Sequence, residues 1–496
     1  MALDRPFPIS LAVQPSNRGV GASATAKDAK IVNAYLDQDP ATGEWWAVKR
    51  PALVKIGPTA SGGQGIGSWQ TVAYVVANNT LYQYASAFNT FTSIGSMTNL
   101  NSKLTRILSW NAPTKGWLVA WSADAAYLYQ SSISQISGAN FPSSGVKGMA
   151  FLDGTLYVLD TFGNIAGSAI NDPTDWTDTT NVVTNWTTED NPTGLARFGN
   201  YIVSFMTHTM DVYYDAGNPT GSPLSIIQSA HQAVGLSYVS TLQQIGDELF
   251  WLGSGVRGEI GVYSLGIDLS LKKISTPPIE RLLSRVVSYT LASVSSANAL
   301  VGYSAMFAGH VCYVLGMTGL TGAYSGPASA AITVLYDTVT NKWYQWTWWD
   351  GTPFAFVGST SELYKHSDGS YSQESLFLHP QDGEVYILNE DTYTDDEGQF
   401  AVDIVTPNID AGTRFIKGSG ALDLVGSQQE GSLAYLRWSD DDYQTWMEFL
   451  PMDLAMDLAS LPGIGSFRKR AFHVHHSGNY PFRVKRLDLY TELGTR

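Results

Sequence analysis

The sequence is poor in cysteine, in charged residues and in long apolar runs. Cys312 is its single cysteine, so the chain cannot form an internal disulfide or a site built from several thiolates. Lys, Arg, Asp and Glu make up 15% of the residues, against roughly 25% in ordinary globular domains. No run approaches the about 18 apolar residues of a membrane-spanning helix, and no secretion signal is visible at the N-terminus. These absences predict a protein without a membrane span that folds in a reducing compartment.

Positive charge is especially scarce. The chain has 29 Lys and Arg residues against 44 Asp and Glu residues, which gives a formal net charge of −15. A broad nucleic-acid interface needs clustered basic side chains that neutralise phosphates. We therefore do not expect this chain to bind DNA through a basic face.

Apolar and aromatic residues are plentiful, and their pattern is that of strands. Hydrophobic residues make up 44% of the chain and aromatic residues 12%, enough for a large core. Short runs of alternating apolar and polar residues are interrupted by Gly, Asn, Asp or Ser pairs, while helical periodicity is scarce. The predicted fold class is all-β.

One pattern recurs along the chain: a few apolar residues, a polar turn, and a strand rich in Leu or Tyr. Its clearest copies lie at residues 73–84, 149–159, 196–205, 245–252, 306–315 and 376–388. Their spacing of roughly 30–60 residues is close to that of a β-propeller blade, about 40–50 residues. A ring of blades buries faces that one four-stranded sheet leaves exposed. A β-propeller is therefore predicted, and a chain of separate β-sandwiches is the alternative.

The composition changes twice, which predicts three parts. Residues 1–60 are rich in Pro, Gly, Ala and Ser, notably at 19–26, and are expected to form an extended N-terminal arm. Residues 61–395 carry the repeats and are expected to form the propeller. After the acidic loop 391–397 the alternation starts afresh, and residues 396–496 are predicted to form a C-terminal β-sandwich.

Three stretches partly match the patterns of sites for a cofactor or a metal. Residues 253–258 fit the G-x-G-x-x-G pattern, but a strand rather than a helix is expected to follow, so a hairpin turn is favoured. His473 and His475 lie on one face of a strand, a spacing that suits a metal, yet no third ligand is evident. The acidic loop 391–397 departs from the EF-hand spacing and is interpreted as a solvated turn. No catalytic residue, cofactor or metal ligand is predicted.

The stretch 438–446 contains an Asp-box-like turn. Ser439, Asp441, Thr445 and Trp446 match the pattern S-x-D-x-G-x-T-W, and Tyr443 stands where that pattern has glycine. In such a turn the carboxylate accepts hydrogen bonds from backbone amides, and the Trp packs beneath it. The prediction is a structural turn without chemistry.

Six stretches, in order, resemble a known family. They are Ile31-Val-Asn-Ala-Tyr35, Lys49-Arg-Pro-Ala-Leu53, and residues 193–205, 275–283, 465–470 and 479–490. Together they resemble the packaged-DNA stabilisation proteins, which are the tail hub or nozzle proteins of short-tailed bacteriophages. The longer loop 450–465 is a departure from that family.

The resemblance implies a structural protein of the virion, assembled in the cytoplasm of the host bacterium. It implies a homo-oligomeric ring, expected to be a hexamer, which binds the head-to-tail adaptor ring, a tail needle or plug, and a tail fibre or tailspike. The ring would close the tail, retain packaged DNA and conduct it during ejection. An acidic lining suits such a passage, because like charges repel within a Debye length of about 8–10 Å. No enzyme activity is implied.

The loop 450–465 is rich in apolar residues, and its place is open at this point. It carries Met452, Leu454, Met456, Leu458, Leu461 and Ile464. So many apolar side chains in water would form a patch that awaits a partner. One hypothesis is that the loop contacts a neighbouring subunit or narrows the channel. The alternative is a short helix that covers the core of the sandwich.

A carbohydrate-binding or glycosidase-type propeller is the alternative function. The Asp-box-like turn and the Trp-rich run 343–349 favour it, since aromatic rings stack on sugars. In a propeller, however, such rings also fill the space between blades. Arginines that would converge on a sugar carboxylate are sparse in the repeats.

Overall fold

Hairpins dominate the structure, because turn residues separate short apolar strands along most of the chain. The computed structural model describes residues 6–15, 29–57, 61–111, 116–184, 190–292, 298–319, 333–354, 356–366 and 368–493. The predicted stretch 19–26 lies outside the described residues. Five strands precede the first repeat: β1 (Phe7–Ser10), β2 (Lys30–Val32), β3 (Ala34–Gln38), β4 (Trp45–Lys49) and β5 (Ala52–Gly57).

Five four-stranded antiparallel sheets follow, each with its strands in sequence order. Blade 1 contains β6 (Gly63–Trp69), β7 (Val72–Ala77), β8 (Thr80–Ala85) and β9 (Thr90–Ser96). Blade 2 contains β10 (Arg106–Asn111), β11 (Gly116–Trp121), β12 (Ala126–Tyr129) and β13 (Ile133–Gln135). Blade 3 contains β14 (Val146–Leu152), β15 (Thr155–Asp160), β16 (Asn164–Gly167) and β17 (Val182–Thr184). Blade 4 contains β18 (Pro192–Phe198), β19 (Tyr201–Met206), β20 (Met210–Asp215) and β21 (Leu224–Ile226), and blade 5 contains β22 (Gln243–Ile245), β23 (Glu248–Ser254), β24 (Ile260–Gly266) and β25 (Leu271–Lys273).

Two further blades complete the ring, so the described residues form seven. Blade 6 contains β26 (Asn298–Phe307), β27 (His310–Gly319), β28 (Thr333–Asp337) and β29 (Lys342–Gln345). Blade 7 contains β30 (Ser359–Lys365), β31 (Tyr371–Leu378) and β32 (Val385–Asn389), and its fourth strand is β5 from the N-terminal segment. The predicted β-propeller is confirmed.

Apolar clusters between successive blades close the ring. Blades 1 and 2, 2 and 3, 3 and 4, 4 and 5, and 5 and 6 each share a cluster of buried side chains. Blade 7 packs back on blade 1, where Leu376 and Ile387 share a cluster with Val75. The innermost strands of all seven blades surround a central cavity of about 470 Å³.

Glycines allow the inner strands to approach each other closely around the axis. A Cβ on Gly65 would lie 2.1 Å from the carbonyl oxygen of Thr105, and one on Gly148 would lie 2.2 Å from the amide nitrogen of Leu195. A Cβ on Gly302 would lie 2.3 Å from the carbonyl oxygen of Thr241. Each contact joins one blade to the inner strand of a neighbouring blade or to the segment that leads into that strand. Side chains at these positions would therefore force the blades apart.

The C-terminal strands form a β-sandwich, as predicted. They are β33 (Val402–Val405), β34 (Lys417–Gly426), β35 (Leu433–Ser439), β36 (Leu450–Asp453), β37 (Ala459–Phe467), β38 (Ala471–His476) and β39 (Arg483–Leu493). One sheet of the sandwich has the order β3-β4-β39-β34-β37, with β1 also paired to β39. The other continues blade 6 in a nine-stranded sheet of order β26-β27-β28-β29-β2-β33-β38-β35-β36.

The N-terminal segment is extended, and its described strands pair within the same chain. Strand β2 lies between β29 of blade 6 and β33 of the sandwich, while β5 closes blade 7. Strands β1, β3 and β4 join the second sheet of the sandwich. Because exposed sheet edges are templates for unwanted pairing, these strands cover edges that the propeller would otherwise leave open.

One apolar core runs from the propeller into the sandwich. A single cluster contains Tyr303 of blade 6 and Phe377 of blade 7 together with Ile404, Leu422 and Leu487 of the sandwich. The boundaries predicted at residues 60/61 and 395/396 therefore do not separate independent units, because a sheet and an apolar core continue across them.

The one α-helix in the described residues, α1 (Pro277–Ala292), covers the junction between blades 5 and 6. Ile279, Leu283 and Val287 point into the cluster of these blades at spacings of four residues, as one helical face requires. Among the described residues, no helix has the length and apolar character needed to cross a membrane.

Replacing Gly148 with Ala tests the close approach of the blades. Because the new Cβ would overlap the backbone at Leu195, we expect the free energy of unfolding to fall by about 1–3 kcal/mol. Gly418→Ala is the matched control, since a Cβ at this strand position meets nothing within 4 Å. Urea denaturation of both variants measures the difference. Equal stability of the two variants would contradict the packing described.

Candidate functional site

Arg50 joins three distant parts of the chain through buried hydrogen bonds. Its side chain is fully buried and forms a two-pronged ion pair with Asp395, with Nη1–Oδ1 at 2.9 Å and Nη2–Oδ2 at 2.7 Å. Nη2 also donates to the carbonyl of Thr347 at 3.0 Å, and Nη1 to that of Pro51 at 2.9 Å. Nε donates to Oδ1 of Asn33 at 3.2 Å. All five N–H groups of the guanidinium therefore have an acceptor.

The partners of Arg50 are themselves held in place. Asn33 adopts a φ of 55°, and its Nδ2 donates to the carbonyl of Ala401 at 2.9 Å. The ring of Phe400 lies 3.6 Å from the guanidinium carbon, a cation–π contact. Oδ1 of Asp395 also accepts from the amide of Leu53 at 2.9 Å. We call Asn33, Arg50, Thr347 and Asp395 the polar junction, because they tie β2–β3, β5, blade 6 and the start of the sandwich together.

Lys49 lies beside the polar junction and is also buried. Its Nζ donates to the carbonyl of Gly478 at 2.7 Å and lies 4.4 Å from the centre of the Phe400 ring. Burial, with the nearby charge of Arg50, lowers the pKa of Lys49 to about 7. The Phe400 ring thus packs against the side chains of both Lys49 and Arg50, which fixes the chain where it enters the sandwich.

The acidic loop 391–397 contributes Asp395 to the polar junction, so the loop does not face only solvent. Asp395, interpreted from the sequence as part of a solvated turn, is the buried partner of Arg50. Oδ2 of Asp396 accepts from the amide of Lys55 at 2.7 Å, and Glu397 pairs with the ammonium of the same lysine at 2.6 Å. The loop therefore fastens the N-terminal segment to the end of blade 7.

The Asp-box-like turn has its predicted residues in one hydrogen-bonded unit. Oδ1 of Asp441 accepts from the amides of Gln444 at 3.0 Å and Thr445 at 2.9 Å, and from the hydroxyl of Ser439 at 2.9 Å. The Thr445 hydroxyl donates to Oδ2 at 2.6 Å. These hydrogen bonds lower the pKa of Asp441 to about 2.

Tyr443 occupies the glycine position of this turn at a left-handed φ of 65°. Glycine adopts that conformation without strain, whereas Tyr443 compensates by burial. Its hydroxyl donates to the carbonyl of Thr406 at 2.9 Å, and its ring packs against Trp446 with centroids 5.8 Å apart. The turn is therefore anchored to the sandwich by a side chain that the usual pattern lacks.

The loop 450–465 contains two strands and no helix. It runs from β36, at the edge of one sheet of the sandwich, to β37, at the edge of the other. Met452, Leu454, Leu461 and Ile464 lie in the common core. Met456 and Leu458, in contrast, are 60% and 57% exposed on the connecting turn. The six residues therefore divide into four core positions and an exposed apolar pair, which we call the tip.

His473 and His475 acquire a third neighbour that the sequence did not reveal. Oδ1 of Asp403, on the paired strand β33, lies 2.7 Å from Nε2 of His473 and 2.9 Å from Nδ1 of His475. Burial alone would raise the pKa of Asp403, yet the hydrogen bonds from both imidazoles hold it well below its usual range. The three donor groups lie close enough together to surround an ion.

Arg437 determines how this cluster is protonated. Its Nε donates to Nδ1 of His473 at 2.9 Å, so that nitrogen accepts and the proton of the neutral ring sits on Nε2. His473 then donates to Asp403 and has no free lone pair there for a metal. The arrangement is a hydrogen-bond network between β33, β35 and β38.

The stretch 253–258 contains the last two residues of β23 and the turn that leads to β24, with no helix after it. The interpretation as a hairpin turn is therefore correct, and the dinucleotide pattern has no structural counterpart there.

Sequence reasoning missed the polar junction, although signals for it were present. Asn33 and Arg50 both lie in stretches that carried the family resemblance, and Asn is the residue after glycine that most readily takes positive φ. Their partners Thr347 and Asp395 lie 297 and 345 residues after Arg50 in the sequence, and no spacing rule connects such positions.

The fold and the polar junction together define a β-propeller protein whose propeller shares a sheet with a C-terminal β-sandwich. The family model described as "Bacteriophage P22 Gp10, beta-propeller" matches residues 24–359, about two thirds of the chain. The chain therefore belongs to this family of phage stabilisation proteins, which are components of the virion. The resemblance inferred from the sequence is confirmed.

Solved structures with similar folds are numerous but distant. The computationally designed Ika8 protein is 12% identical, with a TM-score of 0.37 over 68% of this chain and 99% of its own. A chain of the mitotic checkpoint complex is 9% identical, with a TM-score of 0.39 over 68% of this chain and 91% of its own. U3-55K is 9% identical, with a TM-score of 0.40 over 68% and 99%. TM-scores below 0.5 carry no argument about function, and no curated protein matches the chain.

Replacing Arg50 with Gln tests the polar junction. Because Asp395 would remain buried without its counter-charge, we expect the free energy of unfolding to fall by about 3–5 kcal/mol. Lys55→Gln is the control: it removes a cation that pairs with Glu384 and Glu397 at a partly exposed site, worth about 0–1 kcal/mol. Urea denaturation at pH 7 compares the two. Equal, small losses would show that the junction does not hold the parts together.

Proposed function

We propose that this chain is a subunit of the hub or nozzle of a short-tailed phage tail. Six copies would form a ring that binds the head-to-tail adaptor ring on one side and a tail needle or plug, with a tail fibre or tailspike, on the other. The ring would close the tail channel, retain packaged DNA and conduct it during ejection. The observation that carries this proposal is membership of the phage stabilisation family.

The construction of the subunit supports a load-transmitting role. A nine-stranded sheet and one apolar core run from the propeller into the sandwich, so the two parts cannot rotate independently without breaking both. A subunit that holds back packaged DNA needs such stiffness. It needs no catalytic group, and we propose that the protein is not an enzyme.

The exposed tip supports a subunit contact made by the sandwich. Met456 and Leu458 are exposed there, and β36 and β37 are the outer strands of their sheets. Outer strands present unpaired backbone groups that can bind another chain. A closed ring of more than two subunits uses two different surfaces per subunit, and the tip would be one of them, docked on a neighbouring subunit.

The charge of the chain supports passage of DNA without tight binding. The net charge of −15 per subunit is multiplied around a ring, and repulsion keeps a like-charged polymer from adhering. In this proposal DNA moves along the axis of the ring, between subunits.

The alternative carbohydrate-directed function loses its main support in the structure. Trp343, Trp346 and Trp348 of the Trp-rich run are buried, and Trp349 is the one that is partly exposed. Trp346 and Trp348 lie in the core shared with the sandwich, and Trp343 lies in the cluster of blades 5 and 6. These three rings are therefore not available to stack on a sugar.

Mass measurement of the purified protein, alone and with its adaptor, tests the ring. We expect six copies in the wild type and an at least tenfold weaker assembly for Met456→Ser combined with Leu458→Ser, because both side chains would lose apolar burial. Val256→Ser is the control, an exposed apolar residue on a propeller turn. Leu454 is avoided because it lies in the core. A wild type that stays monomeric with its adaptor would contradict the ring, and unchanged assembly of the double variant would contradict the role of the tip.

A further inference from the structure

The central cavity of the propeller is lined by positive charge, although the chain as a whole is acidic. It is lined by the innermost strands of all seven blades, and its charged lining residues are Arg106 and Arg197. Among the described residues that line it there is no Asp or Glu. In a chain with a net charge of −15, the cavity lining is therefore an exception, because its charged residues are all positive.

Arg106 reaches across this cavity. It begins β10 of blade 2, and its Nη2 donates to the carbonyl of Val239 at 3.1 Å and to that of Leu242, both in the segment that leads into blade 5. Two of its five N–H donors are used in this way. For Nε and Nη1, the described part of the chain provides no hydrogen-bond partner, so three donors remain for a ligand in the cavity.

Arg197 lines the same cavity from β18 of blade 4. Its Nε donates to the carbonyl of Gly199 at 3.0 Å, which orients the side chain. Its two terminal nitrogens have no partner within the described ranges. Two guanidinium groups with free donors thus line one cavity.

The charge of Arg106 is not balanced by a carboxylate. Burial lowers the pKa of Arg106 to about 10, and the Tyr313 hydroxyl is the ionisable group that offsets part of this effect. Glu362 lies on the inner strand β30 but is not part of the cavity lining. Its Oε1 accepts from the amide of Leu363 at 3.1 Å, and burial raises its pKa. An anion in the cavity would supply the missing counter-charge.

We propose that the central cavity binds a small oxyanion with the chemistry of inorganic phosphate, held by Arg106 and Arg197. Guanidinium groups bind such anions through paired N–H donors, and hydroxyl groups of Ser68, Ser109 and Ser361 line the same space. The volume of about 470 Å³ is that of a small-molecule site.

Titration calorimetry with inorganic phosphate, at constant ionic strength and pH 7, tests this site. We expect one phosphate per chain for the wild type, and a Kd at least tenfold higher for Arg197→Gln and for Arg106→Gln. Arg257→Gln is the matched control, since Arg257 is exposed on a turn of blade 5 and is not among the cavity residues. Its Kd is expected to equal that of the wild type.

Two outcomes would overturn the proposal. One is an absence of phosphate binding by the folded wild type. The other is an equal loss of affinity in the Arg197 and Arg257 variants, which would indicate general attraction by surface charge. Arg197 is exposed and has one backbone hydrogen bond, so its variant keeps the test decisive even if Arg106→Gln fails to fold. Calorimetry is preferred to thermal shift because phosphate raises melting temperatures without binding a site.

Discussion

The buried ion pair between Arg50 and Asp395 is the interaction on which the rest of the structure depends. Burying two charges costs several kcal/mol for each ion unless geometry and further hydrogen bonds are complete. The remaining hydrogen bonds of this ion pair come from Asn33, Thr347 and the strand that begins at Ala52. All three must therefore be in their folded positions around the pair. The pair is therefore satisfied only when the N-terminal segment, blade 6 and the start of the sandwich are all folded.

The strands around this ion pair cover sheet edges that the propeller would otherwise expose where it meets the sandwich. Strand β5 supplies the last strand of blade 7, and β2 joins the outer strand of blade 6 to the sandwich. The described strands of the N-terminal segment thus pair with both the propeller and the sandwich. The outer strands of the sandwich, β36 and β37, lie beside the tip. A stiff subunit with an exposed apolar tip suits the proposed place in a ring that holds back packaged DNA.

Local pattern predicted the repeats and the turns well, because a hairpin is encoded within about ten residues. The copies at 149–159 and 196–205 correspond to β14–β15 and β18–β19. Contacts between distant segments were not predictable from one sequence. Asp403 lies 70 residues before His473, and nothing in local spacing pairs them. The loop 450–465 was ambiguous for the same reason: its alternation fits a strand, but which side chains face the core depends on two sheets built elsewhere.

Calorimetric unfolding of the wild-type protein tests the central claim most directly. Since propeller and sandwich share a sheet, a core and the polar junction, the account predicts one transition, with calorimetric and van't Hoff enthalpies in agreement. Two separate transitions, with the sandwich unfolding while the propeller stays folded, would contradict it.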